Sequence, residues 1–139
     1  MAYPLVVLDA SAAAALLLAE GKGEEVAELI HDTVAINGQI FVPGLFWFEL
    51  GNVLLTAERT DRLTSQSSST ALSELARLPI ATHRQSDFTA ADRILNLSRE
   101  NGLTCYDASY LELALRFQAP LKSYDIHLLG LRASFPLIL

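Results

Sequence analysis

Four carboxylates, Asp9, Glu49, Asp107 and Asp125, stand in sequence settings that point to chemistry. Asp9 ends the run Leu5-Val6-Val7-Leu8, and Asp125 follows the run Pro120 to Tyr124. In open α/β sheets ligands bind where strands give way to helices, so both positions are candidate ligand sites. An aspartate there is also a common helix cap, and Asp107, which opens a helical stretch, carries the same two readings. Glu49 separates them. It lies in Leu45 to Thr56, otherwise almost wholly apolar, and with Asn52 and Thr56 falls at i, i+3 and i+7, on one helical face. A solvated face usually carries more charge, so one carboxylate, one amide and one hydroxyl read as the lining of a polar cleft. Acids sharing a cleft repel and take up protons unless a cation neutralises them. Oxygen ligands without a cysteine partner favour Mg2+ or Mn2+. Such an ion lowers the pKa of bound water and neutralises charge on a phosphate, which makes phosphodiester hydrolysis the expected chemistry.

The elements that must position these acids follow from apolar periodicity. Leu5 to Leu8 is expected as a strand buried on both faces. An apolar helix over Ala12 to Ala19, capped by Ser11, should pack in the interior, and an amphipathic helix over Glu24 to His31 should follow the break at Gly21 and Gly23. Ile40 to Pro43 reads as a second strand feeding a helix from Leu45 to Glu58. Thr64 caps a helix to Arg77, Leu78 to Ala81 is a third strand, and Thr89 to Asp92 resembles a capping box for a helix that stops at Gly102. A helix over Asp107 to Phe117, a strand over Pro120 to Tyr124, a helical turn from Ile126 and a terminal strand near Phe135 to Ile138 complete the chain. Strands alternating with helices predict an α/β fold with a parallel, helix-covered sheet of four to five short strands. The 139 residues suit one domain over 1–139.

Composition narrows the function classes. One cysteine, Cys105, excludes an internal disulfide framework and suits a reducing, cytoplasmic setting. No apolar run reaches the length of about 20 residues that a membrane helix needs, so no membrane partner is expected. A formal net charge of -6 works against broad phosphate binding, so a nucleic-acid role must rest on local features.

At the four acids the sequence resembles the PIN-domain family, and more narrowly the VapC-type toxins of toxin–antitoxin pairs. The likeness is carried by Val7-Leu8-Asp9-Ala10-Ser11, by Phe48-Glu49-Leu50-Gly51-Asn52-Val53-Leu54, by Gly102 to Leu111 around Asp107, and by Leu121-Lys122-Ser123-Tyr124-Asp125. Thr64 through Ile80 is similar to the family's middle region. The resemblance implies a three-layer α/β/α fold and an Mg2+- or Mn2+-dependent endoribonuclease. Asp9 and Asp107 would be principal metal ligands, with Glu49 and Asp125 completing the cluster directly or through water and orienting the nucleophile. The products would carry a 5′-phosphate and a 3′-hydroxyl. Ser11 and Asn52 match supporting positions, and Ser123 stands where the family commonly has threonine. The resemblance further implies an RNA substrate, a VapB-like protein antitoxin and a homodimer.

Three alternatives remain at this level: a PIN nuclease that is not a toxin, a catalytically silent binding module, and a haloacid-dehalogenase-type phosphatase using Asp9 as nucleophile. The last generally wants a second aspartate two residues on, where this chain has Ser11. His31, His83 and His127 share no metal-ligand spacing and read as surface or capping residues, and Cys105 as a small buried hydrophobe. Glu112 and Asp92 are expected to be solvated. Phe46, Trp47 and Phe48 cannot all face one core, which leaves part of that cluster for a partner surface.

Overall fold

The computed structural model describes residues 2–84 and 87–139. Strand β1 (Leu5–Leu8) lies inside a parallel sheet whose order is β3-β2-β1-β4, with β2 at Gln39–Pro43, β3 at Ile80–His83 and β4 at Leu121–Lys122. Successive strand residues point to opposite faces, yet Val6, Val7 and Leu8 are all buried, so both faces of β1 are covered. The helices that cover the sheet are α1 (Ala10–Leu17), α2 (Gly23–Ala35), α3 (Leu45–Arg59), α4 (Ser65–Leu75), α5 (Phe88–Asn101), α6 (Cys105–Phe117) and α7 (Ile126–Leu129). The result is the expected three-layer α/β/α arrangement.

The strand order carries the functional geometry. From β1 the chain moves outward through β2 to β3, then returns to place β4 on the opposite side of β1. That reversal is a topological switch point, and in open α/β sheets ligands bind beyond the carboxyl ends of the two strands that flank such a point. Leu8 lies beside Lys122 in the register, and the ladder continues past the strand end, where the Asp9 amide donates to the Lys122 carbonyl at 3.1 Å. Asp9 and Ser123 are thereby brought side by side at the switch point.

Several expected boundaries move. Asp9, not Ser11, caps α1, because its carboxylate accepts the Ser11 amide at 2.7 Å. Helix α2 runs on to Ala35, since Thr33 continues its buried face beyond Ile30. Strand β3 starts two residues later than expected, after a tight turn in which the Ile80 amide bonds the Leu78 carbonyl. Asp87 caps α5 by accepting the Ala90 amide. Gly102, at φ 64°, closes α5 in the left-handed region as expected, and Thr104 caps α6, so Asp107 lies within the first turn of that helix and does not open it. The terminal strand is reduced to one bridge between Leu121 and Ile138.

Candidate active site

Asp9 is the most enclosed of the four acids, at 5% exposure. Its two carboxylate oxygens are both engaged: Oδ1 accepts the Ser11 amide, and Oδ2 accepts the Ser123 hydroxyl at 2.5 Å. Ser123 Oγ in turn accepts the Asp125 amide at 3.0 Å, and Ser11 Oγ accepts the Tyr124 amide at 2.9 Å. The two serines therefore stitch the corner after β1 to the corner after β4. Asp125 caps α7, with Oδ1 accepting the amides of His127 and Leu128. The capping reading holds for both aspartates, and each stands just beyond the carboxyl end of one of the two strands that flank the switch point.

Glu49 and Asp107 approach from the helices. Glu49, on α3, accepts the hydroxyl of Tyr110 on α6 at 2.7 Å. Tyr110 lies three residues after Asp107, on the same side of α6, so one hydrogen bond fixes α3 against the helix that carries the third acid. Tyr110 is fully buried, and the sequence reading missed it. Its signal was the i, i+3 spacing from Asp107 combined with the need of a part-buried glutamate for a donor.

The electrostatics bring the four acids into one neighbourhood. Burial holds the Asp9 carboxyl above its ordinary value against the pull of its hydrogen bonds, and Asp125 pushes it further up. Glu49 is raised by burial first, is pulled back by the Tyr110 hydroxyl, and is raised again by Asp9, Asp107 and Asp125. Asp107 is raised by burial and by Asp125, with Thr104 and His127 acting against the rise. Among the described residues, no three acidic, histidine or cysteine side chains close around a single point as a ready-made metal cage. Mg2+ commonly takes only one or two carboxylates and keeps several waters, so the set fits such an ion by its chemistry: oxygen donors only, clustered charge, and raised pKa values that a dication would reverse.

The remaining expectations divide. Asn52 is exposed and lines a shallow depression with Leu18, Thr56 and Arg62, three residues beyond Glu49 on α3. Cys105 is exposed rather than buried, since it is the first residue of α6. Glu112 is the clearest reversal, being 2% exposed where a solvated residue was expected. Its Oε1 accepts Arg93 Nε at 3.1 Å and Arg116 Nε at 3.1 Å, which supplies the charge partners a buried carboxylate requires. This cluster adjoins a cavity of about 560 Å3 between α5 and α6, whose lining contains none of the four acids. His31 and His127 are exposed as expected, but His83 is partly buried, stacked at 4.0 Å on Phe41 and 4.8 Å from Phe117, and its pKa is lowered by burial and by Arg116. Phe46 is buried, Trp47 is half-buried and donates from Nε1 to Thr82 Oγ1 at 2.9 Å, and Phe48 is 80% exposed.

Comparison with known proteins agrees with this geometry. A crystal structure of PAE2754 from Pyrobaculum aerophilum superposes with a TM-score of 0.65 at 26% identity, over 90% of this chain and 77% of that one. No curated protein matches the sequence. The family model for the PIN domain matches residues 6–131, a span that contains all four acids, both serine bridges and Tyr110. The chain therefore belongs to the PIN domain family, a family of metal-dependent nucleases.

Proposed function

We propose that this chain is an Mg2+- or Mn2+-dependent endoribonuclease and the toxin component of a type II toxin–antitoxin pair. The observation that supports the reading is that four acids from four separate segments affect one another electrostatically beside the switch point between β1 and β4, where Ser123 bonds Asp9 and Tyr110 bonds Glu49. Asp9 and Asp107 would be the principal ligands for the cation, and Glu49 and Asp125 would complete its surroundings, directly or through water. The bound ion would lower the pKa of a water and neutralise charge on the scissile phosphate.

The chain's own residues supply orientation and proton handling. Ser123 and the Ser11 amide fix both oxygens of Asp9, so its carboxylate plane is set before substrate arrives. Tyr110 occupies Oε1 of Glu49 and leaves Oε2 to accept the proton of the attacking water. Water attacks phosphorus as its proton passes to Glu49, the bond to the 3′ oxygen breaks, and that oxygen takes up a proton from solvent, so the products carry a 5′-phosphate and a 3′-hydroxyl. Asn52 lies on the same helix as Glu49, at the rim of the substrate path. A VapB-like antitoxin, a homodimer, one domain over 1–139 and a cytoplasmic location belong to this reading. Supporting it is that, among the described residues, no helix is long and apolar enough to cross a membrane.

The test is cleavage of RNA by purified protein. Mg2+ or Mn2+ should support cutting, EDTA should stop it, and Asp9→Asn should abolish it while leaving the circular-dichroism spectrum intact. Cutting that survives EDTA would sink the metal-dependent reading. Protein that binds RNA or a partner but never cuts would favour the silent binding module.

A further inference from the structure

Four large apolar side chains of the described residues exceed 60% exposure: Phe48 at 80%, Phe88 at 85%, Tyr106 at 66% and Ile126 at 76%. Three of the four are immediate chain neighbours of candidate site acids, Phe48 beside Glu49, Tyr106 beside Asp107 and Ile126 beside Asp125. The fourth, Phe88, opens α5 and adjoins none of them. Adjacent helical residues point about 100° apart, so Phe48 and Tyr106 flank their acids instead of covering them, while Ile126 is the first helical residue after the Asp125 cap. The hydrogen bond from Tyr110 to Glu49 binds α3 to α6, and Tyr106 lies one turn before Tyr110 on the same side of α6. Glu49 and Asp107 each feel the charge of Asp125, and Asp125 caps α7, which places the start of α7 in the same neighbourhood.

Exposed apolar groups concentrated at a polar centre need an occupant. The chain has a net charge of -6, with two lysines and eight arginines, of which Arg62, Arg93 and Arg116 are paired with Glu20 or Glu112. Both lysines are drawn to one tyrosine, with Lys22 Nζ 5.1 Å and Lys122 Nζ 4.7 Å from the Tyr124 ring, and Lys122 also pairs with Glu25. Neither is arranged as an open track for a phosphate backbone. A substrate whose phosphate enters the acid centre carries a base on each side of that phosphate, and those bases reach outward to the residues next to the acids. Unpaired bases stack on aromatic side chains whatever their sequence.

We propose that Phe48, Tyr106 and Ile126 form an apolar rim that grips the bases flanking the scissile phosphate, so that this nuclease holds RNA through unstacked bases more than through its phosphates. Phe48 and Tyr106 are the stacking platforms, and Ile126 is the wedge against which an adjoining base packs. The rim makes the enzyme select nucleotides that can leave a helix, and it makes binding only weakly dependent on salt. This rests on the nuclease reading.

The experiment measures binding of a labelled, unstructured oligoribonucleotide by fluorescence anisotropy, with Ca2+ in place of Mg2+ to suppress cutting, and steady-state cleavage in Mg2+. Phe48→Ala and Tyr106→Ala should each weaken binding about tenfold, with the loss falling on KM rather than kcat. Phe48→Trp should retain affinity and Phe48→Leu should recover only part of it. Binding by the unsubstituted protein should change little between low and moderate salt. Folded alanine variants that bind and cut like the parent would overturn the rim while leaving the nuclease reading intact. So would variants that keep RNA affinity but lose self-association, which would assign the rim to a protein interface. Failure of the parent itself to bind or cut any RNA would instead reject the nuclease reading, and the rim with it.

Discussion

Asp9 works against the free protein. Its carboxyl, with those of Glu49 and Asp107, has a higher pKa in the folded chain than the ordinary 3.8 or 4.5, so the native state binds more protons than the unfolded one between those values and the raised ones. Stability contributed by these groups is therefore complete below the ordinary carboxylate range and declines as pH rises through the window above it. Metal-free protein should lose urea resistance through that window, although Glu25, held low chiefly by its hydrogen bond from Lys122, acts in the opposite direction. Asp9→Asn should flatten the decline and raise stability at neutral pH by about 1 kcal/mol while removing activity. Mg2+ should raise the melting temperature of the parent but not of Asp9→Asn, a comparison that isolates the site by linkage. Tyr110→Phe makes a second check on one atom. Without the phenol, the carboxylate of Glu49 loses a stabilising donor, so its pKa rises further and the acidic limb of the pH–rate profile should move to higher pH.

At the scale of elements, Glu112 acts as the clamp between α5 and α6. One buried oxygen holds guanidinium groups from both helices, Arg93 at 45% and Arg116 at 33% side-chain exposure. Glu112→Ala should cost about 2 kcal/mol, a fall in melting temperature of roughly 8 °C. Arg93→Met should cost less, because that arginine is already half in water. The clamp also explains why the sequence misled. Arg116 at i+4 was visible, but an i+4 pair is ordinary on a solvated face, and burial came from Arg93 on the neighbouring helix. Local signals served well where local physics decides the outcome. Thr64 caps α4 by accepting the Ser67 amide, Gly102 takes the left-handed conformation, and the run before Asp9 is a doubly covered strand. They failed where a neighbour decides: the start of β3 depends on pairing Ile40 with Ile80, and Cys105 is exposed because Thr104 starts the helix there.

For the whole molecule, the legible part of the site was its list of acids, and the illegible part was what holds them. Each acid lay at an end of an apolar run or within one, a pattern that survives in one dimension. The serine bridges and the Tyr110 bond span distant parts of the chain and leave no periodic trace. Strand order was equally hidden, since alternating strands and helices fix a parallel sheet but not the reversal that sets β4 beside β1. Ser123→Ala tests the assembly at this scale. It removes both the donor to Asp9 and the acceptor for the Asp125 amide, and should cost about 2 kcal/mol at neutral pH, with a smaller loss at acid pH, where Asp9 is protonated. Ser123→Thr should restore both.

The bridge from Ser123 to Asp9 joins residues 114 apart in a chain of 139. During synthesis the first aspartate leaves the ribosome long before the hydroxyl that orients it. A growing polypeptide thus carries Asp9 and Glu49 before the corner that orders Asp9 exists, and in the nuclease proposed above the site would stay incomplete until β4 has been made and has paired with β1.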